Sequence, residues 1–153
     1  MSRRQRVFVV LKPDCLKRGL VSQLMSSIVG AGLSIERWEI VTLDDRSLEV
    51  IYGALLKEHF YKDLRSFMVS GPSMVLMASG PNAVEIMNEL KRKIREENSE
   101  SWIELTNEDI KLWEAGHHPS QTALNIKLVA ANLIHVCDSE NESIQCAKAL
   151  FGT

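Results

Sequence analysis

Apolar residues along this chain switch between runs, alternation and helical spacing, and the switches outline its elements. Val7–Leu11 is an unbroken apolar run, rich in valine, that stops at Lys12-Pro13-Asp14. Proline has no amide to give a central ladder, so the run predicts a buried strand ending at a turn. Leu20, Val21, Leu24, Met25, Ile28 and Val29 recur at helical spacing, and Gly30 and Gly32 close that helix. Leu33–Thr42 mixes apolar and polar positions as a second strand would, and Leu48, Ile51, Tyr52 and Leu55 mark a further helix face. After the turn signal Ser70-Gly71-Pro72, Met74–Ala78 reads as a third strand. Asn82 and Glu85 have capping-box spacing ahead of the stripe Val84, Met87, Leu90 and Ile94. Leu133–Val136 suits a fourth strand, and Ser139 with Glu142 repeats the box before Ile144, Ala147 and Leu150. No internal repeat is evident.

Strand and helix alternate four times. Helical spacers this short predict a small α+β sandwich of split-βαβ type, its antiparallel sheet covered mainly on one face. The stretch Lys91–Gln121 resists the scheme, being polar from Glu96-Glu97-Asn98-Ser99-Glu100-Ser101 to Gly116-His117-His118-Pro119. Trp102 and Trp113 imply that it folds against something, and a connection this long is usually functional or an insertion. The 153 residues are therefore expected to form a single domain, 1–153, inserted or rebuilt at about 91–121.

Composition excludes more than it assigns. Hydrophobic residues at 45% and charged residues at 25% argue against disorder. A net charge of −2 leaves no basic footprint for duplex nucleic acid. The apolar runs are too short to cross a membrane. Cys15, Cys137 and Cys146 are scattered, without a CxxC pair, which disfavours a disulfide scaffold or a zinc knuckle and suits a reducing cytoplasmic setting.

Few residues offer chemistry. His135 lies within the apolar run Asn132-Leu133-Ile134-His135-Val136, close to Asp138. It reads either as a core histidine satisfied by one carbonyl, or as an imidazole nucleophile or general base held on a rigid strand. His117 and His118 are adjacent, point apart and lack neighbours with ligand spacing, so a solvated loop is expected. Lys12, at the end of the first strand, is either solvated or placed to reach a phosphate as a point charge. No GxxxxGK[ST] or GxGxxG occurs, so any phosphate site must be built from side chains and turn amides. Phe60, in the polar stretch Lys57–Asp63, is a stacking platform for a base or a cap on the core. Tyr52 shares the face of Leu48 and Leu55 and reads as core. Lys91, Arg92, Lys93 and Arg95 form a solvated face or a phosphate clamp.

Several of these pieces, in order, resemble the nucleoside diphosphate kinase family. Lys12-Pro13-Asp14 with Arg18-Gly19-Leu20-Val21 resembles its first-strand signature. Tyr52, Phe60, Leu64, Phe67-Met68 and Ser70-Gly71-Pro72 follow at its spacing, and Asn132-Leu133-Ile134-His135 with Asp138-Ser139 resembles its active-site strand. The resemblance runs from Arg6 to about Glu89 and resumes near Asn132. It implies an α+β, ferredoxin-like split βαβ sandwich with a four-stranded antiparallel sheet covered by helices. It also implies ping-pong transfer of the γ-phosphate of a nucleoside triphosphate to a nucleoside diphosphate through phosphorylated His135. Lys12 would sit near the transferring phosphate, Tyr52 would orient Lys12 or the phosphate, and Asn132 would contact the sugar. Phe60 would stack on the base and Leu64 would line its slot. Mg²⁺ would bridge the phosphates, with Asp138 a possible ligand. Partners would be nucleoside tri- and diphosphates and further copies of the chain, a hexamer by resemblance.

Departures from the family are equally specific. Val136-Cys137-Asp138 replaces its Gly-Ser-Asp, and Asn88 stands where it has an arginine on the helix after the third strand. A second phosphate-contacting arginine falls at or near Thr122, with Asn125 and Lys127 the nearest polar replacements. The glutamate that orients its histidine falls at Cys146 or Ala147. Leu105-Thr106-Asn107 is similar to the family's Thr-Asn turn and would make Thr106 a phosphate contact. Arg92 and Arg95 lie four and seven residues after Asn88 on one helix face, and Arg92 is the expected nucleotide-binding replacement. Losing clamp arginines also opens a second reading, a catalytically weak or silent member serving as a nucleotide-binding or interaction module. A third, a regulatory domain without nucleotide, is opposed by Lys12, Phe60, Asn132 and His135.

Overall fold

The structure is a computed structural model that describes residues 3–98 and 105–152. Its elements run β1 (Arg4–Leu11), α1 (Pro13–Lys17), α2 (Val21–Gly30), β2 (Ser34–Val41), α3 (Asp45–Tyr52), α4 (Tyr61–Met68), β3 (Ser73–Pro81) and α5 (Ala83–Asn98). They continue with α6 (Asn107–Glu114), α7 (Gln121–Asn125), a π-helical turn (Ile126–Ala130), β4 (Ile134–Val136) and α8 (Glu140–Phe151). The four strands form one sheet in the order β2-β3-β1-β4, with every pairing antiparallel. This is the expected split-βαβ arrangement.

Coverage is the point at which the expectation fails. Val7, Val9 and Leu11 of β1 face a core shared with Leu24, Ile28, Met87 and Ile94 from α2 and α5. Phe8 and Val10 face a second core with Leu48, Tyr52, Leu64, Met68 and Phe151 from α3, α4 and α8. Both faces of the sheet are buried, not mainly one. Unbroken apolar runs rather than alternation are what a strand needs when neither face meets water, and β3 shows the same from Ser73 to Gly80.

The described residues of the segment around 91–121 include helical structure. α5 runs on to Asn98, and Thr106 opens α6 with a complete capping box to Asp109. Trp102 lies outside the described residues. At the last helix, Ser139 caps the amide of Glu142, while the Glu142 carboxylate reaches past Ser139 to accept from the amide of Asp138. β4 is thereby clamped at the sheet edge, between β1 and the start of α8.

Candidate active site

The site forms where the end of β1 lies beside the start of β4. Lys12 leaves β1 and donates its amide to the Leu133 carbonyl at 2.8 Å. Its side chain is 1% exposed. The ammonium donates to Asn132 Oδ1 at 2.6 Å, Ala130 O at 3.1 Å and Val129 O at 3.2 Å, and lies 5.9 Å from the centre of the Tyr52 ring. The two carbonyls are the C-terminal end of the π-helical turn, where the unpaired C=O groups of a helix attract a cation. Burial lowers the Lys12 pKa to about 7, with Arg95 pushing the same way and Asp14 opposing.

Leu133, just before β4, has φ of 72°. A bulky residue persists in this left-handed region only where its surroundings enforce it. The Leu133 amide donates to Asp14 Oδ2 at 3.0 Å, and its carbonyl holds Lys12. Asp14→Ala removes one of these ties and is expected to lower unfolding free energy by about 1–3 kcal/mol in urea titrations. Asp14→Asn, which keeps an acceptor, should lose less.

His135 sits at the centre of β4, opposite Val10. Its ring is half-buried and lies 4.7 Å from that of Tyr52. Nε2 is sealed from solvent with no partner, so the ring's remaining exposure is elsewhere. The carbonyl that a satisfied core histidine requires is absent. Burial, followed by the charges of Lys12, Lys91 and Arg95, drives the His135 pKa down to about 3, leaving a neutral imidazole at physiological pH. Asp14 Oδ1 and the Tyr52 hydroxyl are likewise buried without partners, and burial raises the Tyr52 phenol well above its usual range. Unsatisfied polar atoms collected in one place mark a functional site more often than a packing defect.

The expected replacement arginine is corrected by the geometry. At about 100° per residue, Arg92 lies about 40° to one side of Asn88 and Arg95 about 20° to the other. That difference turns Arg92 outward, where its side chain is 64% exposed and pairs with Glu96 at 3.0 Å. Arg95 turns inward, donating from Nε to the Asn132 carbonyl at 3.2 Å and from Nη2 to the Ile134 carbonyl at 2.5 Å. Lys91, on the same side, donates to Asn88 Oδ1 at 3.1 Å. Helical spacing in the sequence held this distinction, but only the position of β4 shows which side matters.

Other expected residues scatter. Leu64 is 0% exposed within the second core, so it lines no open slot for a base. The Thr106 hydroxyl accepts from the amide of Asp109 and donates to its carboxylate, capping α6. Asn132 is occupied by Lys12, and its Nδ2 donates to the carbonyls of Val129 and Leu128. Phe60 stands at the start of α4 and stacks on Trp113, with planes 10° apart and centroids 6.2 Å apart. Trp113 is tethered through Nε1 to Asn125 Oδ1 at 2.8 Å, and Asn125 Nδ2 donates to Asp63 at 2.6 Å. Asn125 is thus a buried tie between α4 and the 91–121 segment rather than a phosphate contact. His118 is not free in solvent either, since its ring meets Asp109 at 3.2 Å and accepts from the Ser120 amide at 3.0 Å. Cys146, on α8, has its Sγ 3.7 Å from that of Cys137.

Among the described residues no three His, Cys, Asp or Glu side chains could jointly hold a metal ion, and Asp138 is a single exposed carboxylate. Nor is any helix among them long and apolar enough to cross a membrane. The fold and site therefore define an α+β chain with a neutral imidazole set among three cations at a sheet edge.

Comparison with known proteins places this arrangement in a family. A family model for nucleoside diphosphate kinase matches residues 5–153. The chain is 32% identical over 150 residues to the nucleoside diphosphate kinase of Granulibacter bethesdensis, covering 97% of this chain and 95% of that protein. It is 40% identical over 86 residues to that of Ignicoccus hospitalis, 56% of this chain and 58% of the relative. The chain thus spans less than two thirds of that relative's length, as it does for the Streptococcus thermophilus protein, at 59%. Among solved structures, the nucleoside diphosphate kinase of Encephalitozoon cuniculi superposes with a TM-score of 0.67 at 22% identity, covering 97% of this chain and 90% of that one. A transition-state mimic of the Borrelia burgdorferi enzyme with vanadate and ADP has a TM-score of 0.66 at 18% identity, over 97% and 87% of the two chains. These two likenesses establish the fold. The chain belongs to the nucleoside diphosphate kinase family.

Proposed function

We propose that this chain transfers the γ-phosphate of a nucleoside triphosphate to a nucleoside diphosphate through a phosphohistidine on His135. The observation that carries the reading is the company His135 keeps. Lys12, Lys91 and Arg95 surround it, and every hydrogen-bond partner of these three cations is a neutral oxygen. Their charge is therefore not cancelled by a bonded carboxylate and is available to phosphates.

The neutral ring has a lone pair to give near pH 7. With the proton kept on the sealed Nε2, Nδ1 attacks the γ-phosphorus, forming an N–P bond as the bond to the β-phosphate bridging oxygen breaks. The departing nucleoside diphosphate carries that electron pair away, and a second diphosphate reverses the step. Such transfer depends on in-line placement and charge neutralisation more than on proton movement. Lys12 is fixed for the second of these by three acceptors, and Tyr52 packs against both Lys12 and His135. Mg²⁺ suits a site with one nearby carboxylate, since it is commonly held by substrate phosphates and water, where it would offset phosphate charge. Phe60, extended by Trp113, offers the aromatic surface for a base. Exposed Trp38 at 52% and Ile40 at 56% on edge strand β2 support assembly as a homo-oligomer. Free thiols at Cys15, Cys137 and Cys146 support a reducing, cytoplasmic setting for this single domain, rebuilt at 91–121.

Intact-mass spectrometry after mixing with Mg-ATP, at alkaline pH to preserve phosphohistidine, tests the reading. One phosphoryl group should appear, discharge onto a nucleoside diphosphate, and be missing from His135→Gln. No adduct under conditions that fully label a family control would overturn it.

A further inference from the structure

β4 is three residues long and lies at the sheet edge, with β1 on one side and, among the described residues, no strand on the other. An edge strand normally leaves its outer carbonyls to water. Here the carbonyls of Asn132 and Ile134, two residues apart, both accept from one guanidinium, that of Arg95. The Asn132 carbonyl lies before β4, across the left-handed turn at Leu133, and accepts from the Ile134 amide at 2.9 Å as well. Arg95 thus ties the turn at Leu133 to the first residue of β4, the backbone that leads into His135. Its partners are dipoles rather than anions, so its full charge persists beside the ring. The planar fork of arginine holds its donors in a fixed geometry, which the freely rotating ammonium of lysine does not reproduce.

We propose that Arg95 is the positioning residue for His135: it fixes β4 through the Asn132 and Ile134 carbonyls and supplies the standing positive charge that Asn88 lacks. The inference rests on the phosphohistidine reading for its kinetic consequence but not for its electrostatic one. The groups facing His135 are Lys12 after β1, Tyr52 on α3, Lys91 and Arg95 on α5, with Cys137 at the end of β4, Cys146 on α8 and Asp14 on α1 nearby. Lys12, Lys91 and Arg95 are the cations that disfavour protonation of the ring. Removing one of them should ease protonation.

Three variants of the full chain separate the roles. Arg95→Gln is expected to slow His135 phosphorylation by Mg-ATP in single-turnover mixing at least tenfold. Its His135 titration, followed by NMR of the ligand-free protein, should move upward in pH. Arg95→Lys should keep the wild-type titration, because the charge remains, yet still phosphorylate more slowly, because the fork is lost. Arg92→Ala should match wild type in both. A wild-type titration in folded Arg95→Gln, or equal slowing in Arg92→Ala, overturns the proposal. If Arg95→Gln does not fold, slow phosphorylation with an unmoved titration in Arg95→Lys supports the proposal, and wild-type phosphorylation there overturns it. Because the titration needs no turnover, a wild-type chain that forms no phosphoenzyme would sink the phosphohistidine reading while leaving this test decisive.

Discussion

Replacing His135 with glutamine is expected to lower kcat/KM for phosphoryl transfer by at least about a thousandfold, since the nucleophile itself is removed. The same substitution should change how stability responds to acid. In the unfolded chain an imidazole takes up a proton below about pH 6.5. In the folded chain His135 resists it until about pH 3, because burial and three cations oppose the charge. Between these values the unfolded state binds the extra proton, so wild-type stability falls as pH drops from about 6.5 towards 3. This one group contributes on the order of a few kcal/mol of that loss at the acid end. His135→Gln has no such group, so its urea midpoint should decline less between pH 7 and pH 4. Parallel acid dependence in the two proteins would show that His135 is not held neutral. A neutral imidazole also predicts that wild-type phosphorylation keeps its rate well below pH 6.5.

Lys12→Met should reduce transfer on the order of a hundredfold or more, the usual consequence of deleting a group that meets developing phosphate charge. Methionine roughly preserves the volume of the stem but leaves Val129 O, Ala130 O and Asn132 Oδ1 without their donor. The pH signature has the same sense as that of His135 but lies at higher pH. Lys12 loses its proton in the folded chain near pH 7, whereas the unfolded chain keeps one to about 10.5. The unfolded state therefore binds more protons across that window, and wild-type stability rises with pH from about 7 towards 10.5. Lys12→Met should lack this rise in denaturation experiments at pH 7 and 9. A nucleotide phosphate beside Lys12 favours its charged form, so binding at pH 8 should take up protons, and calorimetry in two buffers of different ionisation enthalpy reads that uptake directly. An equal rise in the variant, or binding without proton uptake, would assign the charge elsewhere.

Local pattern carried much of the architecture. Val7–Leu11 and Met74–Ala78 appear within strands, the run expected over Leu133–Val136 is a strand only from Ile134, and the stripe through Val84, Met87, Leu90 and Ile94 appears as a helix, because periodicity records which side of an element meets the core. Short helical spacers alone do not fix coverage, whereas the unbroken runs call for apolar neighbours on both faces of the sheet. Chemistry was legible where the motif itself brings residues together, as in Lys12-Pro13-Asp14. It was not legible where it depends on the rotation of a helix against a distant strand. Thr106 and Leu64 were matched by order along the chain, yet one caps a helix and the other fills the core.

What the residues settle without folding is therefore the order and kind of the elements, the strand that bears His135, and the lysine at the end of β1. What folding alone decides is the electrostatics. The pairing of Val10 with His135 and the return of the Leu133 carbonyl to the Lys12 amide set two distant segments side by side. Burial there removes the water that would have kept an ammonium charged and an imidazole near its ordinary pKa. Arg95, not Arg92, enters because a helix turn of a few tens of degrees chooses between the sheet edge and solvent. Solvent exposure and distances between residues far apart in the chain fix charge states, and neither quantity is a property of sequence position.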